Sequence, residues 1–236
     1  MTTFFRFPRT PHLAWLGVGS PRDDKLLSPS EARALLEHVV VVEEKVDGAN
    51  VGLSLDEDGE VQAQNRGAYL TRESAHPQFR SFFRWLEPHR RSLADVLGPD
   101  LMVFGEWCYA VHSVRYSRLP DWFLAFDVYD RRERAFWSVP RRDALIARLG
   151  FASVPVLGRG RFDLQGLTRL LAPTRLGDGL AEGLYVRADA GDRLAARAKL
   201  VHPSFVQAMD EIHWSHRPIE PNRLVHGHTG VVPAAR

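Results

Sequence analysis

The chain has 236 residues, 44% of them hydrophobic and 25% charged, with a net charge of +2. Those values suit a globular chain with a sizeable core and exclude a disordered or collagen-like one. No apolar run approaches the roughly 20 residues of a membrane helix, Met1–Phe7 has no signal-peptide layout, and a single cysteine, Cys108, rules out an internal disulfide framework. The expectation is one cytoplasmic domain over residues 1–236, mildly basic (pI near 8.9) and so compatible with a nucleic-acid partner.

Residues 1–27 carry Pro8, Pro11, Gly17, Gly19 and Pro21 and read as loop with short extended pieces. Within them Arg22-Asp23-Asp24-Lys25 reads as a solvated turn or the wall of a ligand site. Ser28-Pro29-Ser30-Glu31 has the layout of a helix capping box with proline at the first helical position. Val39–Val42 is an apolar run that suits a buried strand. Val51–Leu55 and Val61–Asn65 flank Asp56-Glu57-Asp58-Gly59 as a hairpin. Arg66 then leaves a strand expected next to the one carrying Lys45. Phe79, Phe82, Phe83 and Leu86 fall at helical spacing, and Leu93, Val96 and Leu97 suggest a second helix ending at Gly98.

Further strands are expected at Leu101–Phe104, Trp122–Tyr129 and Phe136–Val139, then a helix at Pro140–Leu149 and one capped by Asp163 and running to Leu171. Glu182–Arg187 and Leu194–Val201 form a last hairpin. A short helix at Phe205–Ile212 leads into a coil with a frayed end. Hairpins mixed with helices, without strict β–α alternation, predict an α+β fold of antiparallel sheets with flanking helices. Val40, Val42, Leu53, Val103, Leu124, Phe126 and Val186 are the expected core positions.

Six stretches carry chemistry, each at the end of a predicted strand or within one. The first is Glu44-Lys45-Val46-Asp47-Gly48-Ala49-Asn50. A lysine between two strands, beside a turn whose glycine lets a ligand approach, suits a nucleophile. An ordinary lysine is protonated at neutral pH, so this one needs burial or nearby cations to release its amine. The others are Asn65-Arg66-Gly67, Gly105-Glu106-Trp107, Phe123–Asp127, Glu182-Gly183 and Arg197-Ala198-Lys199. Arg197 and Lys199 lie two apart on a strand and so share a face.

In this order the stretches resemble the motifs of the covalent nucleotidyltransferase superfamily, and Asn50 points to its ATP-dependent RNA ligases, nearest the phage-type enzymes that seal duplex RNA. The resemblance covers residues 44–199. It implies a nucleotidyltransferase core (ATP-grasp-like) with ATP as AMP donor and Mg²⁺ or Mn²⁺ as metal. It also implies RNA with 5′-phosphate and 3′-hydroxyl ends as substrate. Lys45 would attack the α-phosphate and hold AMP, and Arg66 would contact phosphate or the RNA end. Glu106 would bind the ribose hydroxyls, Phe123 would stack on adenine, and Glu182 would hold the metal through water. Arg197 and Lys199 would bind the α-phosphate, with Lys199 depressing the pKa of Lys45. Glu44, Asp47 and Asn50 complete the expected nucleotide site. Few residues follow Lys199, too few for an OB-fold, so RNA would be held by this domain alone or with an RNA-repair partner protein. A DNA ligase, a guanylyltransferase and a non-catalytic RNA-end-binding module remain alternatives.

Overall fold

The computed structural model describes residues 4–18, 26–73, 76–207 and 219–225. Two sheets face each other. The first has the strand order β10-β9-β1-β8, from β1 (Val40–Lys45), β8 (Val156–Gly160), β9 (Gly183–Ala190) and β10 (Arg193–Val201). The second runs β3-β2-β4-β5-β6, from β2 (Ala49–Leu55), β3 (Val61–Gln64), β4 (Leu101–Trp107), β5 (Phe123–Asp130) and β6 (Ala135–Phe136). A two-residue β7 (Ala152–Ser153) lies parallel to β5, and every other pairing between these strands is antiparallel.

Helices close the outer faces. α2 (Arg80–Leu86), α3 (Arg90–Leu97) and α4 (Val139–Leu149) pack on the second sheet through Phe82, Phe83, Leu93, Leu97 and Ile146. α1 (Pro29–Leu36) and α5 (Leu164–Arg169) cover the first through Leu35 and Leu167. The short α6 (Pro203–Gln207) follows β10. The α1 capping box is present: Glu31 N–H donates to Ser28 Oγ at 3.3 Å, and Ser28 N–H to Glu31 Oε2 at 2.8 Å. All seven expected core positions are buried.

The chain passes from the first sheet to the second through Val46-Asp47-Gly48. Lys45 is therefore the last residue of one sheet, and Asn50 lies near the start of the other. Gly48 is required here, because a Cβ would sit 2.8 Å from the Trp107 carbonyl oxygen. β3, and Arg66 beyond it, pairs with β2 rather than with the strand of Lys45. Arg66 thus approaches Lys45 from the opposite sheet.

Buried ions join the two sheets. Arg142 from α4 donates to Glu43 Oε1 of β1 at 2.6 Å and to the Phe126 carbonyl of β5 at 2.7 Å. Arg187 from β9 donates to Asp127 of β5 at 2.6 Å and to the same carbonyl at 3.2 Å. Both guanidiniums are fully buried, so each needs its carboxylate.

Three segments differ from the sequence expectation. β7 and β8 were not anticipated, and Gly158-Arg159-Gly160 carries no strand pattern; β8 is held by pairing with β1. The first loop contributes an added strand-like segment, with Lys199 N–H donating to Pro11 O and Leu13 N–H to Lys199 O. Residues 219–225 lie in the expected coil but are tied down, by pairing with residues 109–119, and the tail beyond them lies outside the described residues. Arg22–Lys25 and the second half of the expected Phe205–Ile212 helix lie outside the described residues.

The ion network gives a stability test. Arg142→Met leaves Glu43 in the interior with only the longer 3.8 Å pair to Arg187 and should cost about 3–5 kcal/mol in urea unfolding, with Glu43→Leu added to it recovering a large part. A single-variant cost below about 1 kcal/mol would contradict the network's role.

Candidate active site

Between the sheets lies a cleft of about 550 Å³. Lys45, Asn50, Arg66, Glu106, Glu182 and Lys199 all line it. β1 brings Lys45, β4 brings Glu106, and the β9–β10 hairpin brings Glu182 and Lys199. A second chamber of about 460 Å³ shares Lys45, Asn50, Arg66 and Glu106, and adds Asn65, His76 and Gln78. Lys45 thus stands at the junction of two cavities.

The Lys45 amine donates to Glu182 Oε2 at 2.5 Å. Burial alone would push its pKa down, but Glu182, Glu106 and Asp47 outweigh that and hold it above the ordinary lysine range. This reverses the expectation that Lys199 depresses it. Lys199 lines the cleft, and its charge instead lowers the pKa of Glu182. Burial pushes Glu106 up to about 8, against the pull of Lys45 and Arg66, and Glu182 up to about 7, against the pull of Lys45. Two acids and one ammonium thus share the same buried charge.

Glu44 lines the cleft and Asp47 the second chamber, as expected of site residues, and both also use their carboxylates for bracing. Glu44 accepts from the Thr174 hydroxyl and from Arg175 N–H at 3.0 Å, and burial raises its pKa. Asp47 accepts from Ser113 N–H at 2.6 Å and Val114 N–H at 3.0 Å, and its own N–H donates to Tyr116 Oη at 2.7 Å. Those two loops are tied together, since Ser117 and Arg118 N–H both donate to Leu176 O. The residues flanking Lys45 are clamped from both sides.

Two expected site residues lie elsewhere. Phe123 points away from the cleft, fully buried, with its ring 5.1 Å from Trp85 and 5.4 Å from Phe151. Gly105 serves that ring: a Cβ there would be 2.4 Å from Phe123 Cζ. Phe126 lines the cleft instead, its ring 6.5 Å from Tyr185 and near-parallel at 28°. A register shift between Phe104 and Gly105 falls in this strand pair, where simple alternation is a poor guide. Arg197 shares the expected face, but its guanidinium is paired to Asp127 at 2.6 Å and held over the rings of Phe7 and Phe136. It does not line the cleft. Arg115 pairs with Glu220 and His112 with Gln78 at 3.0 Å.

Sequence reasoning missed Phe7, Arg9, Thr10 and Tyr185, which also line the cleft. The Thr10 and Tyr185 hydroxyls are hydrogen-bonded to each other. Tyr185 sits two after Gly183 on β9 and was within reach of strand periodicity. The N-terminal residues carry no local signal, because their place depends on pairing with β10.

The RNA ligase family model matches residues 38–201, which hold every motif of the cleft. The chain belongs to the RNA ligase family. Solved structures agree on the fold. An RNA ligase from Naegleria gruberi, solved with ATP and Mn, superposes with a TM-score of 0.61 at 16% identity, covering 88% of this chain and 59% of that one. The same ligase with PPi gives 0.58 at 17% identity, covering 87% of this chain and 64% of that one. A putative ATP-dependent DNA ligase from Aquifex aeolicus gives 0.55 at 21%, covering 88% and 52%. The chain thus spans about three-fifths of the ligases it first matches. A comparison with curated proteins finds no match.

The donor set also bears on a metal. Among the described residues no three acidic, histidine or cysteine side chains form a metal-binding group. Glu106 Oε2 is nonetheless buried without a hydrogen-bond partner; besides burial, Glu182 and Asp47 raise the pKa of Glu106, and Asp47 raises that of Glu182. That arrangement fits a cation held by few carboxylates and mostly by water, as Mg²⁺ prefers.

The raised carboxyls make stability depend on pH. Their ionisation opposes folding: the cost is absent below about 4.5 and complete above about 8. The melting temperature should therefore fall by several degrees between pH 5 and 8, and Glu106→Gln should flatten the slope. A slope identical in the variant would show that Glu106 titrates normally.

Proposed function

We propose that this protein is an ATP-dependent RNA ligase acting through a lysyl-AMP intermediate. The observation that carries the reading is the position of Lys45, a motif lysine at the junction of two cavities and paired to Glu182. ATP would occupy the larger cavity, with its base against Phe126 and its ribose hydroxyls toward the unpaired Glu106 Oε2 and Asn50 Nδ2. A hydroxyl can donate to one and accept from the other. The smaller chamber, which shares Lys45 and Arg66 with the first, would receive the RNA end.

Lys45 Nζ then attacks the α-phosphate and pyrophosphate leaves. The amine must first lose its proton, and Glu182 stands at hydrogen-bond distance to receive it. Arg66 and Lys199 stabilise charge on the phosphate oxygens, whereas Arg197 holds Asp127 and stays outside this role. A divalent ion held by Glu182 and Glu106 through water would supply positive charge to the transferring phosphate and favour the neutral amine. The Naegleria ligase was solved with ATP and Mn, which supports the same nucleotide and metal class here. AMP would pass to a 5′-phosphate, and a 3′-hydroxyl would displace it to close the strand. Nick sealing on matched RNA and DNA substrates separates this reading from a DNA ligase.

Intact mass after incubation with ATP and a divalent metal should show one AMP adduct on the wild type and none on Lys45→Ala. Equal masses would sink the covalent mechanism. Phe126→Ala should raise the KM for ATP about tenfold, in line with the roughly 1–3 kcal/mol of base stacking on an aromatic. Phe123→Ala should instead cost about 3–5 kcal/mol of stability, as the loss of a core ring does. The reverse pattern would return the base to Phe123.

A further inference from the structure

The segment 219–225 lies against the loop 109–119, and that loop holds the turn of the reactive lysine. Backbone bonds run along its length: Val111 N–H to Glu220 O at 2.8 Å, Asn222 N–H to Tyr109 O at 2.8 Å, Arg223 N–H to Tyr116 O at 3.0 Å, Leu119 N–H to Arg223 O at 3.0 Å. Asn222 is the centre of the contact. Its side chain is buried, its Oδ1 accepts from Tyr116 N–H at 2.7 Å, and its Nδ2 donates to the carbonyls of Cys108 at 2.8 Å and Ala110 at 3.3 Å. One amide thus fixes residues on both sides of the loop. Tyr116, held at its backbone by Asn222 and Arg223, accepts the Asp47 N–H on its hydroxyl, while Ser113 and Val114 hold the Asp47 carboxylate. Asp47 is two residues from Lys45.

We propose that Asn222 is a positioning residue for the nucleophile, and that residues 219–225 serve as a strap that sets the Lys45–Gly48 turn through Tyr116 and Asp47. Neither Asn222 nor Tyr116 lines the nucleotide cleft. The strap therefore governs how Lys45 meets the α-phosphate, not how tightly ATP is held. Small errors in the placement of an attacking group cost rate far more than affinity. The kinetic half of this inference rests on the ligase reading; the coupling of strap to turn does not.

The test uses the full chain with Asn222→Ala and, as a gentler change, Tyr116→Phe, which keeps the ring and removes only the hydroxyl. Two readouts are compared with wild type. Amide hydrogen exchange at Asp47 to Ala49 should quicken in both variants, while β4 and β5 keep wild-type protection. Single-turnover formation of lysyl-AMP at saturating ATP should slow about ten- to a hundredfold, with ATP affinity unchanged within about twofold. Wild-type exchange at the turn in either folded variant overturns the proposal, and so does a parallel loss of rate and ATP affinity. If the wild type itself takes up no AMP, the ligase reading fails, and the exchange data alone decide whether the strap holds the turn.

Discussion

A largely desolvated ammonium cannot stand alone, and the part-buried Lys45–Glu182 pair is the constraint around which the two sheets are arranged. Lys45 ends a strand of the first sheet. Glu182 precedes β9 in the same sheet, while Glu106 reaches the pair from the second. Glu182, Glu106 and Asp47 together hold the amine protonated in the free protein. Under the proposed reaction, the resting state would differ from the attacking one by a single proton, with a carboxylate beside it.

The same economy governs the neighbouring acids. Glu44 and Asp47 lie within two residues of the lysine; each lines one of the two cavities, and both grip loops with their carboxylates. Thr174 and Arg175 take one, and Ser113, Val114 and Tyr116 the other. A strand end would otherwise fray. Here it is fixed by backbone donors on two loops that are themselves joined at Leu176. Behind the cleft the buried arginines do similar work for the wall that carries Phe126. Arg142 and Arg187 converge on the Phe126 carbonyl, so the residue that shows its ring to the cleft is held from its back.

Much of this was legible in the residues. Strand and helix periodicity located most elements, and the resemblance of the motifs to the ligase family implied that Lys45, Arg66, Glu106, Glu182 and Lys199 would line one cleft, as they do. What periodicity could not carry was register. Phe123 and Phe126 lie three apart on one strand, and only the pairing of β5 with β4 decides which ring faces the cleft. Arg197 failed for another reason. Its partner Asp127 is distant in sequence, and a carboxylate that claims a guanidinium leaves no trace in spacing. The sign of the Lys45 shift likewise depended on which neighbours came closest, cation or carboxylate. The N-terminal wall and the strap were invisible because they owe their shape to remote strands and loops, not to their own composition.

Both of these remote segments meet the parts that matter most. Pro11–Leu13 clasps Lys199, and Asn222 reaches back to the loop beneath Asp47. Residues made early on the ribosome must wait for β10, and the loop after β4 must wait for the strap. Such long-separated closures are slow to form. The Lys45 cleft would then be among the last features to mature during synthesis, so a half-made chain would carry the strands of the second sheet but not the finished cleft.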